Sequence, residues 1–223
     1  MSRPSLTRDR IFATALAIAD EGGLGALSMR RLAKELGVEA MSLYHHVQGK
    51  DDLQRGLVGL VLEEIEYPPP GEAWKPALRR IALSYRKALA RHHWAAGVMF
   101  TQTDALPGRI RYMETVLRTI AEAGGSAELT DLAYHTLESH IMGFTLWAAS
   151  FRGLSGRLEE LATEFLRTLP EAEYPHLIQH IHHHLRPPAQ PRSAFEFGLD
   201  LILDGLDRLL EAERGRAGKA AAG

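Results

Sequence analysis

The sequence predicts an all-α protein, with a small N-terminal three-helix unit followed by a larger helical body. Apolar residues recur at intervals of three and four along most of the chain, which is typical of amphipathic helices. Clusters of glycine and proline interrupt this pattern at spacings that suit helices of ordinary length. We find no alternating run of β-branched residues bounded by turn dipeptides, so no strand is predicted.

The first helix is predicted to begin after Thr7, whose hydroxyl is suited to accept a free backbone N–H of the first turn. It ends at Gly22, Gly23 and Gly25. The glycine run follows a helix rather than a strand, so we interpret it as a helix terminator and not as a dinucleotide-binding loop.

Residues 27–50 predict two further short helices joined by a tight turn. Ser28 is a suitable N-cap for the second helix, and Gly37 ends it because glycine tolerates a left-handed backbone. The third helix follows, with Leu43 and Val47 on its buried side. This pattern predicts a helix-turn-helix.

The outward side of the third helix has no formal charge, which is unusual for a solvated helix face. Small, hydroxyl, aromatic and imidazole side chains suit the DNA major groove, where methionine contacts a thymine methyl and serine bonds base edges. In an alternative interpretation, Tyr44 and the two following histidines only pack on the next helix. The predicted DNA-binding residues are Ser28, Arg30, Ala40, Met41, Ser42, Tyr44, His45, His46 and Lys50.

Composition and charge set limits that agree with this interpretation. A chain of 223 residues with 45% hydrophobic side chains can bury a core in one small and one larger domain. The net charge is −2, yet residues 1–50 contain seven basic and five acidic side chains, which suits a specific DNA site better than coating of any DNA. The absence of cysteine excludes disulfides and thiolate metal ligands. With no membrane-spanning apolar run and no signal peptide, we expect a soluble protein of the bacterial cytoplasm with no membrane partner.

Three prolines at 68–70 exclude helix and mark a domain boundary. Before them, a leucine-rich stripe predicts a helix that connects the N-terminal unit to the body. The predicted division is a helix-turn-helix DNA-binding domain at 1–50, a connecting helix at about 51–66, a ligand-binding and dimerisation domain at 72–213 and a disordered tail at 214–223.

The body is predicted to contain helices near 74–91, 110–120 and 128–152. The third has an apolar stripe that should lie in the interior, and His140 is a titratable group within it. Such a group orients a small molecule in a pocket, or else it is a core histidine with a local partner. The predicted lining of an effector pocket is Trp74, Tyr85, Phe100, Gln102, Met113, His140, Phe144 and Trp147.

Residues 174–185 predict a short helix with an outward histidine stripe at His176, His180, His183 and His184. Pairs four residues apart have the spacing with which two imidazoles bind one zinc or nickel ion. The alternative is an ordinary solvated face, and since no cysteine completes a ligand set we expect no metal or other cofactor.

Two amphipathic helices near the end of the chain predict a homodimer interface, with intrachain packing as the alternative. Gly198 and Gly205 lie two turns apart on one face and would permit close approach of a partner helix. The predicted dimerisation residues are Leu158, Leu161, Phe165, Phe195, Gly198, Leu199, Ile202, Gly205 and Leu206.

Residues 7–65 resemble the N-terminal domain of the TetR family of bacterial transcriptional repressors, closest to the tetracycline repressor branch. The resemblance rests on LAKELGV, SLYHHV and the GK that precedes an amphipathic helix. Residues 195–210, FEFGLDLILDGLDRLL, are similar to the last dimerisation helix of that branch. The resemblance implies a homodimer that is held together by a four-helix bundle and binds a palindromic operator.

The resemblance also bears on the effector. The tetracycline repressor senses a magnesium-chelated drug through a histidine, and the matching position here is Met99. A thioether is a poor magnesium ligand, so we do not expect tetracycline–magnesium as the effector. His92 and His93 remain alternative positions for a metal-binding histidine.

Two classes of function remain open at this point. The first is a ligand-responsive transcriptional regulator, as repressor or activator, whose partners are double-stranded operator DNA and a small-molecule effector. The second is a metal-dependent enzyme or metal-binding protein that uses the histidine clusters. The sequence contains no HExxH motif, no nucleophile elbow and no phosphate-binding loop after a strand, which favours the first class.

Overall fold

The computed structural model describes residues 5–101, 105–154, 156–186 and 193–221, and within these ranges it contains helices and no strand. The prediction of an all-α fold with an N-terminal helix-turn-helix and a larger helical body is confirmed. The helices are α1 (Arg8–Gly22), α2 (Met29–Leu36), α3 (Ala40–Leu43), α4 (Lys50–Glu63), α5 (Trp74–Arg91), α6 (Ala95–Thr101), α7 (Pro107–Glu122), α8 (Ala127–Ser150), α9 (Leu158–Thr168), α10 (Pro175–Leu185) and α11 (Ala194–Ala221). No helix among the described residues is long and apolar enough to cross a bilayer.

Local capping explains where the first helices begin and end. The Thr7 hydroxyl accepts the N–H of Arg10, and the Ser28 hydroxyl accepts that of Arg31. Gly37 ends α2 in the left-handed conformation at φ 67°. The third helix is shorter than expected, because the chain leaves α-helical geometry after Leu43 and continues as a turn.

The connecting helix α4 packs on α1 of the N-terminal unit and also on α5, α6 and α7 of the body. Its approach to α1 requires a glycine, since a Cβ at Gly56 would lie 2.0 Å from Cε1 of Phe12. Leu57 and Val61 are buried on the same helix. One rigid element therefore contacts both parts of the chain.

The body is built on α5, α7, α8 and α11, which pack on one another around one core. Salt bridges fix α11 along α5: Lys75 contacts Asp204 and Asp207, and Arg79 contacts Glu196 and Asp200. Because these ion pairs are partly exposed, each contributes little to the free energy of folding. Their main effect is to set the position of α11 along α5.

Two segments contain more helix than the sequence analysis assigned. Residues 95–101 form α6, with Ala95 and Ala96 fully buried. The tail predicted to be disordered from residue 214 is helical to Ala221. Its alanine, arginine and lysine residues favour helix. Glu213, just before it, anchors this end of α11 by accepting hydrogen bonds from the backbone N–H and the hydroxyl of Ser126.

The helices α9 and α10 form a hairpin, which we call the α9–α10 hairpin. They pack mainly on each other, and neither of these fully described helices contains a buried residue. The hairpin therefore projects from the four body helices.

Candidate DNA-binding face and effector cavity

Two arginines of α1 hold the helix-turn-helix in place. Nη1 of Arg8 donates to the carbonyl of His46 at 2.8 Å, and Nη2 of Arg10 donates to the carbonyl of Leu36 at 3.3 Å. The Leu36 carbonyl lies at the end of α2 and the His46 carbonyl in the turn after α3, so neither has an intrahelical donor. Sequence analysis did not assign either arginine, because their partners are 38 and 26 residues away.

The exposed surface of α3 and the turn that follows it is named here the recognition face. Met41 is 73% exposed and Tyr44 is 50% exposed, unusually large values for such side chains. His45 and Lys50 are also exposed, whereas Ser42 and His46 are half-buried. Tyr44 and His45 therefore do not bury themselves against the next helix, contrary to the alternative interpretation.

The remaining predicted DNA-binding residues are Ser28, Arg30 and Ala40. Ser28 is exposed, and its hydroxyl is engaged as the N-cap of α2. Arg30 is exposed on the first turn of that helix. Ala40 is half-buried and packs on the core, so it contributes less of its surface to the recognition face than predicted.

An enclosed cavity lies in the body where α4, α5, α6, α7 and α8 meet. Its volume of about 20 Å³ has room for a water molecule and not for a drug-sized ligand. A larger molecule can enter only if the surrounding helices separate. The cavity is lined by Val58, Leu62, Tyr85, Met99, Leu106, Arg109, Tyr112 and Glu138.

Polar groups in the cavity are few and mutually engaged. The Tyr112 hydroxyl donates to Oε2 of Glu138 at 2.8 Å, and the Tyr85 hydroxyl donates to the sulfur of Met99 at 3.4 Å. Desolvation raises the pKa of Glu138, while the hydrogen bond from Tyr112 and the charge of Arg109 oppose that shift. Burial also raises the pKa of both tyrosine hydroxyls, which therefore remain protonated donors.

The structure does not bring the predicted pocket residues together. Tyr85 lines the enclosed cavity, whereas Trp74 lies in a surface groove beside the prolines at 68–70. Met113 is half-buried outside the cavity lining. Gln102 and the side chain of Phe100 lie outside the described residues.

The other three predicted pocket residues are His140, Phe144 and Trp147. They lie on a side of α8 other than the one that lines the enclosed cavity. Nε2 of His140 is 2.9 Å from the carbonyl of Phe195, and the two rings stack at 4.7 Å, which agrees with the alternative of a histidine with a local partner. Phe144 packs on Phe195 as well, and Trp147 is 56% exposed. These three residues lie away from the enclosed cavity because α8 turns Tyr134 and other residues inward and directs this aromatic stripe towards α11.

Arg109, Tyr112 and Glu138 were missed as pocket residues. Glu138 had a detectable signal, since no other acid occurs in the sequence between Asp131 and Glu159. Arg109 and Tyr112 gave none, because only the packing of α7 on α8 brings them to this acid.

Comparison with known proteins decides the family. The model described as "Bacterial regulatory proteins, tetR family" matches residues 11–56, and that described as "Tetracyclin repressor-like, C-terminal domain" matches residues 67–210. The chain belongs to the TetR family. It is a ligand-responsive transcriptional regulator and not an enzyme, since both matching family models and the relatives reported below are described as transcriptional regulators or repressors.

Relatives of this TetR-family protein extend over nearly its whole length. The HTH-type transcriptional repressor DrrR1 of Streptomyces coeruleorubidus is 32% identical over 96% of this chain and 82% of its own. The tetracycline repressor protein class E of Escherichia coli is 33% identical, with 96% of each chain covered. The crystal structure of ActR from Streptomyces coelicolor in complex with actinorhodin is 31% identical, covers 93% of this chain and 99% of its own, and has a TM-score of 0.72.

Most predicted dimerisation residues of the TetR-family α11 face the chain's own core. Phe195, Leu199 and Leu206 are buried, Ile202 is half-buried, and a Cβ at Gly198 would lie 2.6 Å from His140 Cε1. Intrachain packing, the alternative, therefore accounts for these residues. Gly205 has no close contact from another helix among the described residues.

A different apolar surface is left exposed on α8 and α11, and we name it the α8–α11 face. Phe197, Leu201 and Leu209 are each more than half exposed on α11. Trp147 on α8 and Phe151, the residue that follows this helix, are exposed as well. On α9, Leu158 and Phe165 are exposed and Leu161 is half-buried. Large apolar patches of this kind mark interaction surfaces.

The junction between the N-terminal unit and the body contains a buried polar cluster that we name the junction clasp. His92 is 5% exposed, and its Nδ1 and Nε2 lie 2.8 Å from Asp20 and 3.1 Å from Glu64. The indole N–H of Trp94 donates to the same oxygen of Asp20 at 2.8 Å. His92 is thereby engaged on both ring nitrogens.

The histidine stripe of α10 remains exposed, with the rings of His180 and His184 4.5 Å apart. His176 and His183 are exposed on the same helix. Within the described ranges no group of three or more histidine, cysteine, aspartate or glutamate side chains is arranged to hold a metal ion.

Proposed function

We propose that this protein is a homodimeric, cytoplasmic repressor that binds a palindromic operator and leaves it when a small molecule enters the enclosed cavity. The observation that supports this most strongly is the recognition face, an uncharged and exposed surface on a rigid helix-turn-helix. Residues 1–50 would bind DNA, residues 51–66 would transmit movement, and residues 72–213 would bind the effector and the second subunit.

Within the DNA contact, different side chains have different tasks. Met41, Tyr44 and His45 would reach base edges, where they determine sequence preference. Arg30 and Lys50 would bind phosphates and set affinity without reading sequence. Ser28 would act mainly through its cap on α2, which places the backbone of that helix against the DNA.

The dimer would form through the α8–α11 face. Two-fold pairing of this surface buries its aromatic and leucine side chains and places two recognition faces on one side of the molecule. Binding of two half-sites by such a dimer accounts for a palindromic operator.

The effector would act through α4. Val58 and Leu62 of α4 line the enclosed cavity, and Gly56 of the same helix packs on α1. A ligand that separates the cavity walls must therefore move the helix on which the N-terminal unit rests. With Arg109 and Glu138 in one apolar site, the effector should have an apolar body with both donor and acceptor groups. The solved complex of ActR with actinorhodin supports a small organic molecule as the effector.

The experiment is selection of bound duplexes from random DNA, followed by anisotropy titration of the selected operator at fixed salt. Tyr44→Ala and Met41→Ala should each weaken operator binding by about 1–3 kcal/mol with little change for unrelated DNA. Lys87→Ala, an exposed residue of the body, is the control and should bind as the wild type. Equal behaviour of all three variants, or no selected sequence, would contradict the proposal.

A further inference from the structure

A second cleft lies between the C-terminal halves of α5 and α8, apart from the enclosed cavity. It has a volume of about 180 Å³, and since one water needs roughly 10–15 Å³ it has room for an anionic group with several attached atoms. We name it the arginine cleft. Its lining consists of Arg86, Leu89, Ala90, His93, Thr145, Ala148, Ala149 and Arg152, and thus contains no aspartate or glutamate among the described residues.

Arg86 is held in place without a carboxylate. Its guanidinium lies 5.3 Å from the ring centre of Phe144 and 5.9 Å from that of Phe195, which fixes one flat side by cation–π contact. Burial lowers the pKa of Arg86, and no acidic group among the described residues forms a salt bridge with it. A partly buried guanidinium normally has an anionic partner.

His93 lines the cleft as well and brings no negative charge to it. Its Nδ1 has no hydrogen-bond partner in the described part of the chain, but this atom is fully buried and therefore does not face a molecule in the cleft. Burial and the nearby Arg152 lower the pKa of His93, whereas Asp20 opposes the shift. Asp20 is already bonded to His92 and Trp94, so it does not neutralise the cleft.

Arg152 closes one side of the cleft. Its Nη2 donates to the carbonyl of Ala90 at 3.1 Å, which holds its guanidinium over the end of α5. The half-buried Ala148 and Ala149 also line the cleft and give it an apolar surface between the two guanidinium groups. Two guanidinium groups beside an apolar surface are the chemistry that binds carboxylate and phosphate.

We propose that the arginine cleft is a binding site for a small carboxylate- or phosphate-bearing molecule, distinct from the effector site in the enclosed cavity. Arg86 and Arg152 bind the anionic group, and the half-buried Ala148 and Ala149 contact the attached apolar atoms. The site does not depend on DNA binding.

The test is calorimetric titration of the full-length protein with inorganic phosphate and with succinate, with chloride keeping the ionic strength constant. Saturable binding of at least one probe is expected, and the probe that binds identifies phosphate or carboxylate as the recognised group. Arg86→Gln should weaken that binding by about tenfold or more, since it removes a charge-assisted hydrogen bond. Lys87→Gln removes the same charge from the next, exposed position of α5 and should bind as the wild type.

Three results would overturn the proposal. The first is absence of saturable binding of both probes, and the second is an equal loss in the two variants, which would indicate general charge attraction. The third is conversion of a wild-type dimer to a monomer by Arg86→Gln, which would assign the cleft to a carboxylate of the second subunit. If Arg86→Gln fails to fold by circular dichroism, Arg152→Gln tests the same site, and unchanged binding in that variant rejects it.

Discussion

Nδ1 of His92 lies 2.8 Å from Oδ1 of Asp20, and this contact joins the body to the first helix of the N-terminal unit. The other ring nitrogen faces Glu64 at the end of α4, so the junction clasp joins three parts of the chain at one imidazole. Because the ring is buried, removing it takes one partner from each of two carboxylates and leaves a cavity between them. Asp20 keeps the Trp94 indole N–H and Glu64 keeps Arg91.

We predict that His92→Ala destabilises the protein by about 1–3 kcal/mol in denaturant-induced unfolding. The matched control is His135→Ala, because His135 lies 3.5 Å from Asp131 but both side chains are about two-thirds exposed, so its loss should cost less than about 1 kcal/mol. Equal losses would show that the junction clasp contributes no more than a surface pair.

Gly56→Ala should destabilise the protein by about 1–3 kcal/mol, since the new Cβ would overlap the ring of Phe12 and force α4 away from α1. Gly59→Ala on the same helix is the control. No atom lies within 4 Å of a Cβ at Gly59, so this change should stabilise the helix by about 0.5–1 kcal/mol. Thermal unfolding of the two variants distinguishes the cases, and a stabilised Gly56→Ala would refute the close packing.

Glu138→Gln should change the dependence of stability on pH. The folded-state pKa of Glu138 is raised by desolvation, so its protonated form is favoured by folding. The resulting stability is present below the unfolded-state pKa and is lost as pH rises through the raised folded-state pKa. Between the unfolded-state pKa and the raised folded-state pKa, the free energy of unfolding of the wild type should therefore fall with rising pH relative to that of Glu138→Gln. Above the folded-state pKa the difference between the two proteins should stay constant.

Urea unfolding of both proteins at several pH values measures this difference. The amide of the variant retains an acceptor for the Tyr112 hydroxyl, so the comparison isolates the titration. Glu164→Gln, an exposed position on α9, is the control and should follow the wild type at every pH. A constant difference between wild type and Glu138→Gln across this range would exclude the raised pKa.

Leu201→Glu should prevent dimer formation, because it places a charge in the centre of the exposed α8–α11 face. We expect the dimer dissociation constant to rise by roughly thirtyfold or more, as for a central interface residue. Ile110→Glu, a 54% exposed apolar residue on α7, should leave the dimer intact. Light scattering after size-exclusion chromatography reports the mass, and a dimeric Leu201→Glu would place the interface elsewhere.

Sequence reasoning predicted the N-terminal unit well because its signals are local. Thr7, Ser28 and Gly37 each act within four residues of their own position, so capping rules locate the helix ends without knowledge of the fold. The recognition face was predicted from the absence of charge on one short helix. The arginine contacts that hold this face in place were not predicted, since Arg8 bonds a carbonyl 38 residues away.

The body was predicted less well because helix spacing does not determine which neighbour a face meets. The stripe containing His140 and Phe144 is apolar enough to be a pocket wall, yet it packs on Phe195 of α11. For the same reason, Gly198 was assigned to contact with a second subunit when it contacts His140 of its own chain. The actual polar residues of the cavity come from α7 and α8 together, a pairing that only the tertiary packing provides.

The projection of the α9–α10 hairpin has a consequence for how this chain tolerates change. Since its two helices have no buried residue and pack mainly on each other, insertions or deletions at its tip leave α5, α7, α8 and α11 undisturbed. A fluorescent protein inserted between α9 and α10 would thus report on the regulator from a tolerant position.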